Sequence, residues 1–193
     1  MTDAALGTMT PTGHAGVPED RLSAYRQRRD RDHTPEPVPE QGPLPRGNDD
    51  TFVIQEHHAR RLHWDFRLER CGVLVSWALP RGLPEDPAAN RLAIRTEDHP
   101  LEYASFEGEI PPGQYGAGTV RIWDRGTYET EKWTDEEIKV VLHGSRVSGR
   151  YVLIHTGGNR WLLHRMDPAA PGPWSAGPLT GERRQRSCGE ARG

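Results

Sequence analysis

Between His63 and Leu68 the chain reads His-Trp-Asp-Phe-Arg-Leu, a strict alternation of polar and apolar side chains. A period of two belongs to a β-strand, where successive side chains point to opposite faces. Trp64, Phe66 and Leu68 then share a core face, while His63, Asp65 and Arg67 share the other. A strand that needed only solubility on that second face would more often carry Lys, Thr or Glu.

The same signature recurs along the chain. Thr51–Gln55 is rich in β-branched and aromatic residues, Val73–Leu79 is apolar, and Arg91–Glu97 alternates. Thr119–Trp123 and Thr127–Thr130 flank Asp124-Arg125-Gly126, which predicts a hairpin. Arg150–His155 and Arg160–Arg165 flank Thr156-Gly157-Gly158-Asn159 and predict a second. Ile138–His143 carries the pair Val140-Val141, which favours strand. Many short strands separated by turns point to a mainly β fold, a barrel or a sandwich. Helix is expected only within Pro18 to Asp30, where Leu22 and Tyr25 can share an apolar stripe. Residues 34–50 form a Pro-rich extended connector over the domain surface. Residues 1–17 and 168–193 lack apolar periodicity and are expected to be disordered, the second carrying the basic cluster Arg183, Arg184 and Arg186. The folded domain is thus placed at 18–167.

Net charge bears on what such a domain can bind. With 25 Lys and Arg against 28 Asp and Glu, the formal charge is −3, so no general basic field exists to wrap a nucleic acid. Any contact with nucleic acid has to come from local arginines, which favours a short grip on an end. No apolar run is long enough to cross a bilayer. The N-terminus lacks the apolar core of a signal peptide, and two cysteines are too few for a disulfide framework. The expected setting is therefore the cytoplasm.

Chemistry concentrates in Gln55–Leu68. His57 precedes His63 by six residues, and Ala59-Arg60-Arg61 can turn to bring His57 back over the strand. His57, His63 and Asp65 then offer two imidazoles and a carboxylate, a ligand set suited to Mn, Fe or Zn with coordination positions left open. An isolated His-x-Asp is more often a solvated strand face, but the neighbouring cations and the motif that follows raise the metal reading. Glu97-Asp98-His99-Pro100-Leu101-Glu102-Tyr103 follows a segment whose parity groups Arg91, Arg95 and Glu97. His99 and Tyr103 beside arginines suit binding of phosphate oxygens, although a turn-capping His and a packed Tyr fit the same residues. The glycine-rich loop Phe106–Gly118 matches neither the Walker nor the dinucleotide pattern and reads as structural, with Tyr115 packed. The remaining histidines read as structural or solvated.

Taken in order, QEHHARRLHWDFRLE (55–69), SWALPRG (76–82), RLAIRTEDHPLEYASFEG (91–108), IPPGQYGAG (110–118) and WDRGTYE (123–129) closely resemble the phosphoesterase domain of bacterial ligase D and its stand-alone relatives. YRQRRD (25–30) and HTPEP (33–37) fit as well, so the resemblance spans roughly residues 20–166. It implies a small antiparallel β-barrel that uses Mn, or another divalent metal, to heal 3′ ends. The implied activity removes a 3′-terminal ribonucleoside and then the 3′-phosphate, leaving a 3′-hydroxyl. By position it implies metal ligands His57, His63 and Asp65, and catalytic or phosphate-binding side chains Arg67, Arg91, His99 and Tyr103. Arg29, Asp30 and Glu97 match further residues near the site. Arg81 stands where the family has a lysine, which keeps the charge but changes a point donor to a planar fork. The implied partners are DNA or RNA-containing 3′ ends and, because no lysine-centred nucleotidyltransferase motif is present, a separate DNA ligase, a polymerase and Ku. Two other readings remain open on the residues alone. A non-haem iron oxygenase uses the same triad, and a degenerate domain would bind ends without cleaving them.

Overall fold

The structure, a computed structural model, describes residues 20–45 and 47–166. The tails expected to be disordered, 1–17 and 168–193, lie outside the described residues. Helix α1 (Ser23–Gln27) is shorter than the Pro18–Asp30 segment in which a helix was expected. Nine strands follow: β1 (Thr51–His58), β2 (Leu62–Arg70), β3 (Val73–Leu79), β4 (Asn90–Arg95), β5 (Gly108–Ile110), β6 (Gly118–Trp133), β7 (Glu137–Gly144), β8 (Ser148–Gly157) and β9 (Arg160–Arg165). A 3-10 helix, Leu101–Ser105, lies between β4 and β5.

All pairings are antiparallel, in the order β1-β2-β3-β4-β9-β8-β7-β6, and β6 pairs back onto β1. The expected β-barrel is therefore found, closed by eight strands, with β5 added to the edge of β6. Closure removes the exposed edges that an open sheet would present.

Cross-strand register carries one face continuously around the ring. Phe66 opposes Ile54 and Trp77, Ala93 opposes Trp161, Leu153 opposes Leu163, and Leu142 opposes Tyr128. Phe52, Ile54, Phe66, Trp77, Leu142 and Leu163 are fully buried there and fill the barrel. The opposite face of β1, β2 and β3 is also covered, by α1, the chain following it and the 3-10 helix. Tyr25 and Tyr103 pack edge-on 6.2 Å apart over it, and Val38 and Leu44 anchor the Pro-rich connector.

The hairpin expected around Asp124-Arg125-Gly126 is a correction: these residues lie inside one 16-residue strand, β6. Gly126 serves a close approach instead of a turn, because a Cβ there would stand 2.1 Å from the His143 carbonyl oxygen of β7. The register against β1 slips between Ile54 and Gln55, a bulge that bends β6 as it passes from β1 to β7. The Thr156–Asn159 hairpin is present between β8 and β9, with positive φ at Gly157 and Gly158.

Asp124, beside the bulge, is buried. Its carboxylate accepts backbone N–H bonds from Ser145 (3.0 Å), Arg146 (3.0 Å) and Val147 (2.7 Å), locking the turn between β7 and β8. No side chain of Ala could replace these acceptors. Asp124→Ala should destabilise the fold by about 2–4 kcal/mol, and Asp124→Asn by less because one acceptor remains. Urea denaturation followed by tryptophan fluorescence checks this, and an unchanged midpoint for Asp124→Ala would contradict it.

Candidate active site

In the β1–β2 hairpin His57 lies opposite His63, Gln55 opposite Asp65, and Val53 opposite Arg67. Directly opposed residues share a face. The three-residue turn Ala59-Arg60-Arg61 thus brings His57 beside His63, with ring centroids 4.7 Å apart. One ligand atom from each of His57, His63 and Asp65 falls within 4.8 Å of the others. The face is not solvated: His57 and Asp65 are 7% exposed and Arg67 is 2% exposed.

Each imidazole is held by its other nitrogen. The Nε2 of His57 donates to the Gly116 carbonyl at 2.8 Å, and the Nδ1 of His63 donates to the Arg61 carbonyl at 3.0 Å. A carbonyl can only accept, so those nitrogens carry the protons. The lone pairs of His57 Nδ1 and His63 Nε2 are left toward Asp65, 3.5 and 3.8 Å from its carboxylate oxygens. Two imidazoles and a carboxylate, each imidazole oriented by a backbone acceptor, form a donor set that fits a divalent cation. Asp65 is held below the ordinary carboxylate range: burial opposes this, but the Arg67 guanidinium and the close approach of His57 and His63 outweigh it.

Arg67 extends from this group toward a second one. Its Nε donates to Gln55 Oε1 at 2.8 Å and an Nη lies 3.2 Å from Asp65, while its guanidinium sits over the Tyr103 ring at 4.8 Å. Gln55 in turn donates to the carbonyls of Tyr103 and Phe106. The Nη1 of Arg67 is buried and has no hydrogen-bond partner among the described residues. A buried guanidinium N–H without an acceptor is costly, and its natural complement is an anionic oxygen.

His99 closes the far side. A β-bridge to Leu74 pins its backbone at the end of the β4 extension. Its Nδ1 donates to the Glu97 carbonyl at 2.9 Å, leaving Nε2 to accept from Arg29 at 3.3 Å. Burial, then Arg67 and Arg29, push the imidazole well below its usual range, so it is neutral. Burial likewise raises the Tyr103 phenol well above its usual range and keeps it protonated. Arg29 is buried between Glu36 (3.0 Å) and Glu97 (3.1 Å) and stacks on Tyr25 at 3.6 Å. Glu97 also pairs with Arg28 at 2.7 Å, and Arg28 donates to the Tyr115 hydroxyl at 2.8 Å.

Of the residues singled out in the sequence, His57, His63, Asp65, Arg67, His99, Tyr103, Arg29 and Glu97 are brought together by this network of contacts. Three are placed otherwise. Asp30 is exposed and turned to its own loop, bonding His33 and the Asp32 N–H. Arg91 opposes Leu163 and so lies on the barrel-filling face, the reverse of the Asp65 face. Its parity with Arg95 holds, but Glu97 lies beyond the end of β4 and turns the other way. Arg81 is exposed just after β3 and lines a cavity at the barrel end. Gln55, Glu36 and Arg28 went unnoticed as site residues. Gln55 shares strand parity with His57 and could have been found that way. Glu36 sits in the Pro-rich connector, where no periodicity marks it. Tyr115, expected to be packed, is 46% exposed.

The neutral state of His99 gives a pH signature. Its ordinary value is 6.5 and its folded value lies well below that. Between the two, the unfolded chain binds a proton that the folded chain does not, so stability falls as pH drops below 6.5 and is level above it. The thermal midpoint of wild type should fall more between about pH 7 and about pH 5 than that of His99→Gln. Parallel pH dependences would refute the assignment.

Residues 55–155 match the family described as the DNA Ligase D 3′-phosphoesterase domain. The chain is 63% identical over 151 residues to the multifunctional non-homologous end joining protein LigD of Mycobacterium bovis, a match covering 76% of this chain and 20% of that protein. It is 58% identical to the LigD of Mycolicibacterium smegmatis over 158 residues, 76% of this chain and 21% of the relative. With the LigD of Pseudomonas aeruginosa the identity is 47% over 155 residues, 74% of this chain and 18% of the relative. The chain spans about a fifth of the length of these curated relatives. The matched segment contains the His57–His63–Asp65 group, Arg67, His99 and Tyr103, and the chain belongs to the DNA ligase D 3′-phosphoesterase domain family.

Proposed function

We propose that this chain is a Mn-dependent phosphoesterase that heals 3′ ends, removing a 3′-terminal ribonucleoside and then a 3′-phosphate to leave a 3′-hydroxyl. The observation that carries the reading is the buried, unpartnered Nη1 of Arg67 beside the His57–His63–Asp65 group. An anion-seeking cation next to a cation-seeking triad suits a phosphoryl group. It is poorly suited to dioxygen, and this disfavours an iron oxygenase.

A divalent cation held by His57, His63 and Asp65 supplies Lewis-acid polarisation of a phosphoryl oxygen and lowers the pKa of water. Arg67 contributes a fork already oriented by Gln55, so little ordering is needed when phosphate arrives. Tyr103, held protonated, is a neutral hydrogen-bond donor. His99 enters with a bare Nε2 facing Arg29. An incoming phosphate would add negative charge and offer Arg29 an acceptor in place of Nε2, so that His99 can take up a proton from solvent and pass it to a phosphate or leaving oxygen. Arg29 and Glu97 hold that geometry. The relatives' names support a place in non-homologous end joining. There, a DNA ligase, a polymerase and Ku on the cytoplasmic, nucleoid-associated DNA would act on the product.

The decisive assay is a labelled duplex ending in a 3′-ribonucleotide or 3′-phosphate, incubated with Mn, Mg or Zn. Wild type should release nucleoside and phosphate with Mn, and His63→Ala should release neither while keeping its thermal midpoint. Activity retained in His63→Ala would sink the metal assignment, and binding without turnover under every metal would favour a non-catalytic module. Arg67→Ala should lower kcat about 10²–10³-fold. Arg67→Lys should recover little of that, because the fork held by Gln55 is lost.

A further inference from the structure

The chain carries a second concave site, on the reverse side of β2 from the triad. A cavity of about 430 Å³ opens at the barrel end where β2 begins and β3 and β9 end. Trp64, the residue between the ligands His63 and Asp65, lines it together with Trp123, Arg81, Arg146, Arg165 and Glu85. Three guanidinium groups against one carboxylate make this a locally basic spot on a chain of net charge −3. Arg91 belongs to the same barrel-filling face as Arg165, and its Nε is buried with no hydrogen-bond partner among the described residues.

Two features show the wall to be built in advance. The Asp124 carboxylate fixes the Ser145–Val147 turn, which holds the Arg146 guanidinium over the Trp123 ring, 5.3 Å from its centroid. Arg165 donates to the Glu85 carbonyl at 2.8 Å and ties down the opposite rim. Indole and guanidinium planes both stack on nucleobases, and the adjoining arginines suit the phosphates between them. The volume suits one unstacked nucleotide and excludes a duplex. Arg60 and Arg61 of the β1–β2 turn, next to His63, are exposed.

We propose that the barrel-end cavity is a docking site for single-stranded nucleic acid. It takes an unstacked base against Trp64 and Trp123, and its flanking phosphates on Arg146, Arg165 and Arg81. This rests on the 3′-end reading above, with the strand crossing the β1–β2 turn to present its terminus to the triad.

The test is fluorescence anisotropy of the full chain, with and without Mn, using an all-deoxy strand of about 12 nucleotides. Its 3′-hydroxyl end leaves nothing to hydrolyse. Trp123→Ala and Arg146→Glu should each weaken binding about tenfold or more, and a strand with abasic sites should bind wild type correspondingly less well. Ser148→Glu places a carboxylate at the exposed rim without touching the core and should weaken binding in the same direction. Unchanged affinity in both Arg146→Glu and Ser148→Glu, with thermal midpoints retained, would overturn the proposal. So would equal affinity for the abasic strand. If wild type fails to process 3′ ends yet these variants still lose binding, the 3′-end activity falls and the docking site stands.

Discussion

The register of β1 against β2 is the constraint on which the rest of the molecule depends. With His57 opposite His63 and Gln55 opposite Asp65, one hairpin supplies both imidazoles, the carboxylate and the amide that aligns Arg67. The alternation makes that register hard to lose. A slip of one residue would turn His63, Asp65 and Arg67 into the barrel and Phe66 and Leu68 into the polar site. The apolar face, filled by Phe52, Phe66 and Trp77, therefore holds the polar face in place through the same backbone.

Burial of the polar face sets the electrostatics. Arg29 and Arg67 lie with Asp65, Glu36 and Glu97 under α1 and the 3-10 helix, each nearly out of water. Buried charges are tolerated only when closely paired, and here all but one direction is satisfied. The exception is Arg67 Nη1, a donor suited to an anionic oxygen, while His57 Nδ1 and His63 Nε2 face Asp65 as a donor set that could hold a cation. Burial, reinforced by Arg67 and Arg29, keeps His99 neutral.

Much of the barrel was legible from local pattern. The alternation of β2, the apolar run of β3 and the Thr156–Asn159 turn appear as expected, because each depends on neighbours in sequence. The hairpin expected at Asp124–Gly126 did not survive, because Gly126 serves the close passage of β7, a contact no local pattern reports. The same holds for Arg91. Its parity within β4 was visible, but which face of β4 meets the barrel interior depends on pairing with β9, some seventy positions later.

By itself, the sequence determined the faces of β2, the candidate trio of His57, His63 and Asp65 and, through ordered motifs, the family. These follow from a period of two and from residue chemistry, both local properties. Only the tertiary structure decided that the polar face is roofed over by α1 and the connector, and that Glu36 and Gln55 orient the arginines. It alone put Arg81 with Trp64 and Trp123 at the barrel end and not beside Asp65. Those outcomes depend on closure of the sheet, which brings together residues far apart in the chain and fixes which side of each strand faces inward.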